Sequence, residues 1–489
     1  MFGKVMLTGA ALVAFGLTKF LFNTLVIRWF PATFLGEINQ LLSLFLLIPL
    51  FYAPVLGTVI SKFAPEFLGA NEPNKSKQVF SLSFVIVMVT SVVCTIIVLI
   101  FLRPPGGSYK IQSETLVGLA PMLVLYSIYI FLRTSYYGFD RIPLYLRNEI
   151  VSSIVFFVVL AVGLATRSQQ LVVWPFAAQG AVFAAMAIYD LRDQFRFHAM
   201  LSGIAEDLRR CAHFSFHTMI NSLTGPGAFH LGIILTGRLT GSLEIAGYYS
   251  VLLYALQPFN LLPISLTSVM IPTISRLHGA GQIREGIAVA ERAFPPLFLV
   301  MTLIWGGGVI LGKEAVEAIS GVAAGQLIVP FEIVLLSVYL YLISSPPSVL
   351  LNSTRHVAVI AWGGAVAVGL GLAVWWWTIP VYGLLGSAAG YALLQAAKGV
   401  WAFVAAHRIF QWRGQFGWVA ILTIMTVLVL GAVSLASESR LLHIAMAFLF
   451  VGLFFGLQAQ TIKGYAKRLV AEVRSYASGT VKLSDGTGC

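Results

Sequence analysis

The chain has 489 residues, of which 58% are hydrophobic and only 10% charged, with a formal net charge of +12. Soluble domains carry roughly 25% charged residues, so a soluble protein is excluded and a polytopic membrane protein fits. The basic residues are spread between apolar segments and form no patch. That excludes a nucleic-acid face and makes them topology signals and candidates for holding an anionic substrate.

A membrane helix needs about 20 apolar residues. Fourteen such spans can be drawn, the first six at 5–27, 40–61, 80–102, 113–132, 148–166 and 170–189. The next six lie at 212–236, 246–272, 286–311, 327–350, 357–378 and 381–405, and the last two at 415–436 and 441–461. The first carries Lys19 and lacks a clear cleavage site, so it reads as a retained helix and not a signal peptide. The expected fold is an all-α polytopic membrane protein of 14 transmembrane helices, as two pseudo-symmetric six-helix lobes plus two C-terminal helices. The lobes take residues 1–190 and 212–410, joined by a cytoplasmic linker at 191–211. The two extra spans take 411–461, and a basic cytoplasmic tail takes 462–489. The linker reads either as an interfacial helix or as a solvated connection.

With the N-terminus in the cytoplasm, 22 of the 31 Lys and Arg fall on the cytoplasmic side and 7 on the outer side. Lys19 and Lys398 stay inside spans. This bias follows the positive-inside rule and places both termini in the cytoplasm.

The segment 246–276, AGYYSVLLYALQPFNLLPISLTSVMIPTISR, has an echo at 35–65, LGEINQLLSLFLLIPLFYAPVLGTVISKFAP. Each copy opens on a glycine, Gly36 or Gly247. Each holds two prolines five residues apart, Pro49 with Pro54 and Pro258 with Pro263, and each ends on a proline, Pro65 or Pro272. The copies sit six spans apart and so share an orientation, which implies two lobes related by an axis along the membrane normal. The four inner prolines are the candidate hinges, since each frees backbone groups that neighbours must satisfy.

Charges inside spans are costly and are functional candidates by default. Lys19 lies 17 residues before Gly36, and His230 lies 17 before Gly247. The repeat therefore puts an amine and an imidazole at matching positions, both suited to a phosphate if they face one cavity. The alternatives are a snorkelling lysine and a neutral, internally satisfied histidine. Arg28 and Arg238 follow them at the outer mouth, as a positive vestibule or as helix ends. Lys398 lines the cavity or reaches the interface, and Arg276 stands where a headgroup would enter from the cytoplasm. Glu149 and Glu332, near span ends, pair with a cation, bind a coupling proton or are plain interfacial carboxylates. Asn221, Ser222, Thr224 and Pro226 predict a polar, bent seventh span.

No Walker loop, HExxH or CxxC pattern occurs, so the chain contains no ATPase engine and no evident metal site, and no cofactor is expected. No large outer loop exists to hold a catalytic acid, which argues against an enzyme.

Four stretches, AGYYSVLLY at 246–254, IPTISRL at 271–277, YYGFDRIPLY at 136–145 and VYGLLGSAAGYAL at 381–393, carry a family resemblance. With the repeat, the chain resembles the polysaccharide-transporter branch of the multidrug/oligosaccharidyl-lipid/polysaccharide exporter superfamily, the Wzx-type flippases. The resemblance implies a V-shaped two-lobed bundle in the cell membrane that works by alternating access. It implies export of a polyprenyl-(pyro)phosphate-linked glycan for O-antigen or exopolysaccharide synthesis. The implied partners are that glycan, membrane lipids, and the glycosyltransferases and polymerase acting on it. Two readings of the same superfamily stay open: a cation-coupled multidrug exporter and a peptidoglycan-precursor (lipid II) flippase. Span one carries Lys19 and no acid, which opposes the drug exporter.

Overall fold

The computed structural model describes residues 2–412, except 70, 103–112, 198–204, most of 257–281, 321–324 and 355. The expected spans at 415–436 and 441–461, the tail, Arg276, Pro258 and Pro263 lie outside the described residues. The described residues form helices and turns and no strand.

The N-lobe begins with α1 (Phe2–Trp29), then α2 (Ala32–Leu47), a 3-10 turn (Ile48–Phe51) and α3 (Ala53–Gly69). α4 (Pro73–Leu102), α5 (Ser113–Gly138), α6 (Ile142–Ala165) and α7 (Trp174–Asp190) complete it. α8 (Ala205–Ser222), a π turn (Leu223–Gly227) and α9 (Ala228–Thr240) make the seventh span, and α10 (Leu243–Ala255) opens the eighth. α11 (Ile283–Ile310), α12 (Gly312–Ser320), α13 (Ile328–Ile343), α14 (Ser345–Ser353), α15 (Val357–Tyr382) and α16 (Leu384–Phe410) follow. Seven described helices or helix pairs are each long and apolar enough to cross a bilayer on length and composition alone. The chain is a multi-pass membrane protein.

Breaks fall where the chemistry puts them. Pro49 and Pro54 have no N–H to give to the carbonyls four residues earlier, so the second span breaks between α2 and α3 into the 3-10 turn. Tyr52 leaves helical geometry there, and its hydroxyl meets Ser127 Oγ at 2.8 Å, which ties the break to α5. Pro226, between two glycines, widens the seventh span into its π turn. α12 was expected as a connection. Its sequence GKEAVEAIS instead turns Val316 and Ser320 inward and leaves Lys313 and Glu314 exposed.

Among the described residues, two large hydrophobic cores lie side by side. One draws on residues 11–214 with Val251 and Val357, the other on residues 228–412. They meet along a seam where α2 packs on α9 and α10, α1 on α10, and α3 on α8. The paired glycines of the repeat face each other on this seam. A Cβ on Gly36 would strike the Leu243 carbonyl, and one on Gly247 would strike the Ala32 carbonyl. Small residues of this kind let membrane helices cross backbone to backbone.

Candidate functional site

The N-lobe gathers a charged cluster by helical periodicity. Residues spaced three or four apart share a helix face. Phe15 and Lys19 do so on α1, Tyr126, Tyr129 and Arg133 on α5, and Tyr145 and Glu149 on α6. Lys19 Nζ donates to the Tyr126 hydroxyl at 3.1 Å and sits 4.8 Å from the centre of the Phe15 ring. The Arg133 guanidinium lies 3.8 Å from the same ring centre, and its Nε donates to the Tyr145 hydroxyl at 2.9 Å. Glu149, fully buried, stands 3.9 Å from Arg133 and accepts from the Tyr129 hydroxyl at 2.6 Å. Its other oxygen has no hydrogen-bond partner. Two cations thus share one carboxylate, which leaves an excess positive charge where desolvation is expensive.

The seam beside this cluster is polar but uncharged. Asn39 of α2 bonds to Asn23 of α1 and to Ser250 of α10, both at 2.7 Å. His230 of α9 is buried with Nδ1 3.3 Å from Ser43 Oγ of α2. Lys19 lies within electrostatic reach of both His230 and Glu149.

Lys398 of α16 reaches across the C-lobe to the π turn. Its Nζ donates to the Thr224 carbonyl at 2.9 Å and lies 4.9 Å from the centre of the Tyr341 ring. A π turn disrupts the regular carbonyl pairing of a helix, and Lys398 supplies a donor there. Asn221 Nδ2, in the turn before, stands 3.5 Å from Asn352 Oδ1 of α14.

Contacts close both ends of the seam. At the Gly36–Gly247 end, Arg28 donates to the Ala318 carbonyl in the last turn of α12, where helix carbonyls lack internal donors. At the other end, Phe63 of α3 meets Phe214 of α8 edge-on at 5.8 Å, and Lys62 Nζ lies 4.1 Å from the Phe214 centroid. Arg210 pairs with Glu66 at 2.5 Å, and Lys75 with Asp207 at 3.2 Å and Glu72 at 3.0 Å.

Arg238 stands exposed in the last turn of α9, where a cation complements the helix dipole. Arg133 was missed by sequence reasoning. Ending the fourth span at 132 put it in a cytoplasmic loop, whereas α5 continues to Gly138 and buries it. The available signal was the spacing of Tyr126, Tyr129 and Arg133, a helical stripe that runs past the apolar window. Glu149 likewise sits two turns inside α6, which starts at Ile142.

No family model matches the sequence, and no curated relative matches it. Solved structures do match. The lipid II flippase MurJ, in an inward closed conformation, aligns over 94% of this chain and 100% of its own, at 13% identity and a TM-score of 0.66. A mutant of the Vibrio cholerae MATE transporter VcmN aligns over 84% of this chain and 97% of its own, at 15% identity and a TM-score of 0.64. A MOP superfamily transporter from Pyrococcus furiosus, described as having a binding pocket of reverse polarity, aligns over 83% and 95%, at 12% identity and a TM-score of 0.62. The chain therefore shares the fold of these transport proteins.

Proposed function

We propose that the protein is a flippase that carries a polyprenyl-(pyro)phosphate-linked oligosaccharide from the cytoplasmic to the outer leaflet by alternating access. The observation that carries this reading is the sign of the charge inside the spans. Lys19 and Arg133 share the ring of Phe15 against the single carboxylate of Glu149. Lys398 adds a further cation in the other lobe. An intramembrane excess of cations is electrostatically incomplete, and a phosphate-bearing head completes it. Lys19 and Arg133 would supply the N-lobe share of the donors, His230 a polar contact on the seam, and Lys398 a donor from the C-lobe. The driving force is an ion gradient or the membrane potential. Likeness in fold to a lipid II flippase over nearly the full chain supports the reading.

One observation favours a cation-coupled drug exporter instead: Glu149 is a fully buried carboxylate in the N-lobe. Arg133 stands 3.9 Å from it, however, and Tyr129 donates to one of its oxygens, so an intrinsic cation already answers its charge. A liposome assay separates the two readings. Purified protein should translocate a fluorescent polyprenyl-pyrophosphate glycan and leave a cationic dye untransported; export of the dye alone refutes the flippase.

A further inference from the structure

The outer flank of the N-lobe carries a groove that the transport reading does not use. A depression of about 420 Å³ lies between α6 and α7, lined by Arg147, Ala185, Met186 and Tyr189. Along its axis the neighbouring surface is apolar. Ile150, Ile154 and Val158 of α6 and Ile188 of α7 are all 39–58% exposed. Exposed aliphatic side chains in that number place the face against lipid tails.

One end of the groove is cationic. Arg147 is half exposed, yet its guanidinium is held in place. Its Nη2 donates to both carboxylate oxygens of Asp190 at 2.8 Å, and its Nε donates to Asn148 Oδ1 at 3.1 Å. The Arg192 guanidinium lies 4.2 Å from the centre of the exposed Tyr189 ring. Arg141, just before the start of α6, is paired with Asp193 at 2.5 Å. Burial resists ionisation of Asp193, but hydrogen bonds from Arg141 and Gln194 hold its carboxyl below the usual range, so the corner keeps its fixed charges at neutral pH. Arg147 pairs with Asp190 and Arg141 with Asp193, and the Arg192 guanidinium against the Tyr189 ring is the further cation of this corner.

We propose that this groove is a binding site for an anionic bilayer phospholipid. The phosphodiester accepts from Arg147 and Arg192, the glycerol region rests against Tyr189, and an acyl chain lies over Ala185 and Met186. Charge complementarity at one end and apolar lining along the rest define an amphiphile with an anionic head. The flank belongs to one lobe only. Lys19 and His230, by contrast, sit beside the α2, α9 and α10 seam. The occupant is therefore a resident lipid, bound apart from the transported cargo.

Native mass spectrometry of the full chain, released from nanodiscs of mixed phosphatidylglycerol and phosphatidylcholine doped with polyprenyl phosphate, tests this. The wild type should retain phosphatidylglycerol preferentially. Arg192→Gln should cut that retention about fivefold, the effect of removing one interfacial arginine. Ala185→Trp should displace the lipid by filling the groove without touching the Asp190 network. Equal retention of both phospholipids overturns the proposal, as does retention unchanged in both variants. Selective retention of polyprenyl phosphate that Ala185→Trp abolishes also overturns it, because the groove would then serve the cargo.

Discussion

Lys19 and Arg133 lie 4.8 and 3.8 Å from the centre of one phenylalanine ring, and a single buried carboxylate answers both. Removing one partner of such a pair strands the other charge, at a cost of about 3–5 kcal/mol. Arg133→Met should therefore lower thermal stability strongly, and the double variant Arg133→Met/Glu149→Gln should recover most of the loss. Melting in detergent measures it; equal destabilisation by the single and double variants would mean that the pair is not coupled. Lys19 was legible in the sequence because it interrupts a long apolar run. Arg133 was not, because it sits past the point where hydropathy falls and only its partners on α5 and α6 show that it is buried. The meeting of Lys19 with Tyr126 joins residues 107 positions apart, which no local pattern encodes.

At the scale of helices, the prolines and glycines of the sequence explain the breaks. Pro49 and Pro54 are candidate hinges of a second span drawn as continuous, and the structure places a 3-10 turn there, with Tyr52 bonded to Ser127. Pro226 predicted a bent seventh span, and the bend is a π turn whose Thr224 carbonyl accepts from Lys398. Lys398→Met keeps the stem and removes the donor. It should loosen the turn and raise amide hydrogen exchange at residues 223–228, whereas Lys398→Arg should restore protection; exchange unchanged in Lys398→Met would show that the turn stands without it. Gly36 and Gly247 were read as matching landmarks of a repeat, and the structure places each against the backbone of the other's helix. Gly36→Ala puts a methyl group into the Leu243 carbonyl, an overpacking that costs about 1–3 kcal/mol, and the same change at exposed Gly369, where a Cβ meets nothing, should be close to neutral in the same melt. The α12 helix was not legible, since nine residues of mixed polarity resemble a loop until Val316 and Ser320 are seen to face inward.

At the scale of the whole molecule, the described residues form two large cores joined at a polar seam. The seam is closed at one end by the glycine crossing and at the other by the Glu66–Arg210 and Lys75–Asp207 pairs with the Phe63–Phe214 contact. Exposed ion pairs contribute only about 0.2–1 kcal/mol each. Under the proposed alternating access, a closure of that strength holds one state without trapping it. Glu66→Arg should favour opening of this end, and Glu66→Arg/Arg210→Glu should close it again. Spin-label distances between α3 and α8 measure the change; a double variant as open as the single one would remove the pair from the closure. The central claim, a cationic site for a phosphate-bearing head, is tested most directly by translocation of a fluorescent polyprenyl-pyrophosphate glycan in liposomes, comparing wild type with Lys19→Ala at equal protein incorporation. The account predicts that Lys19→Ala abolishes translocation and that Lys19→Arg retains part of it; wild-type rates in Lys19→Ala would contradict it.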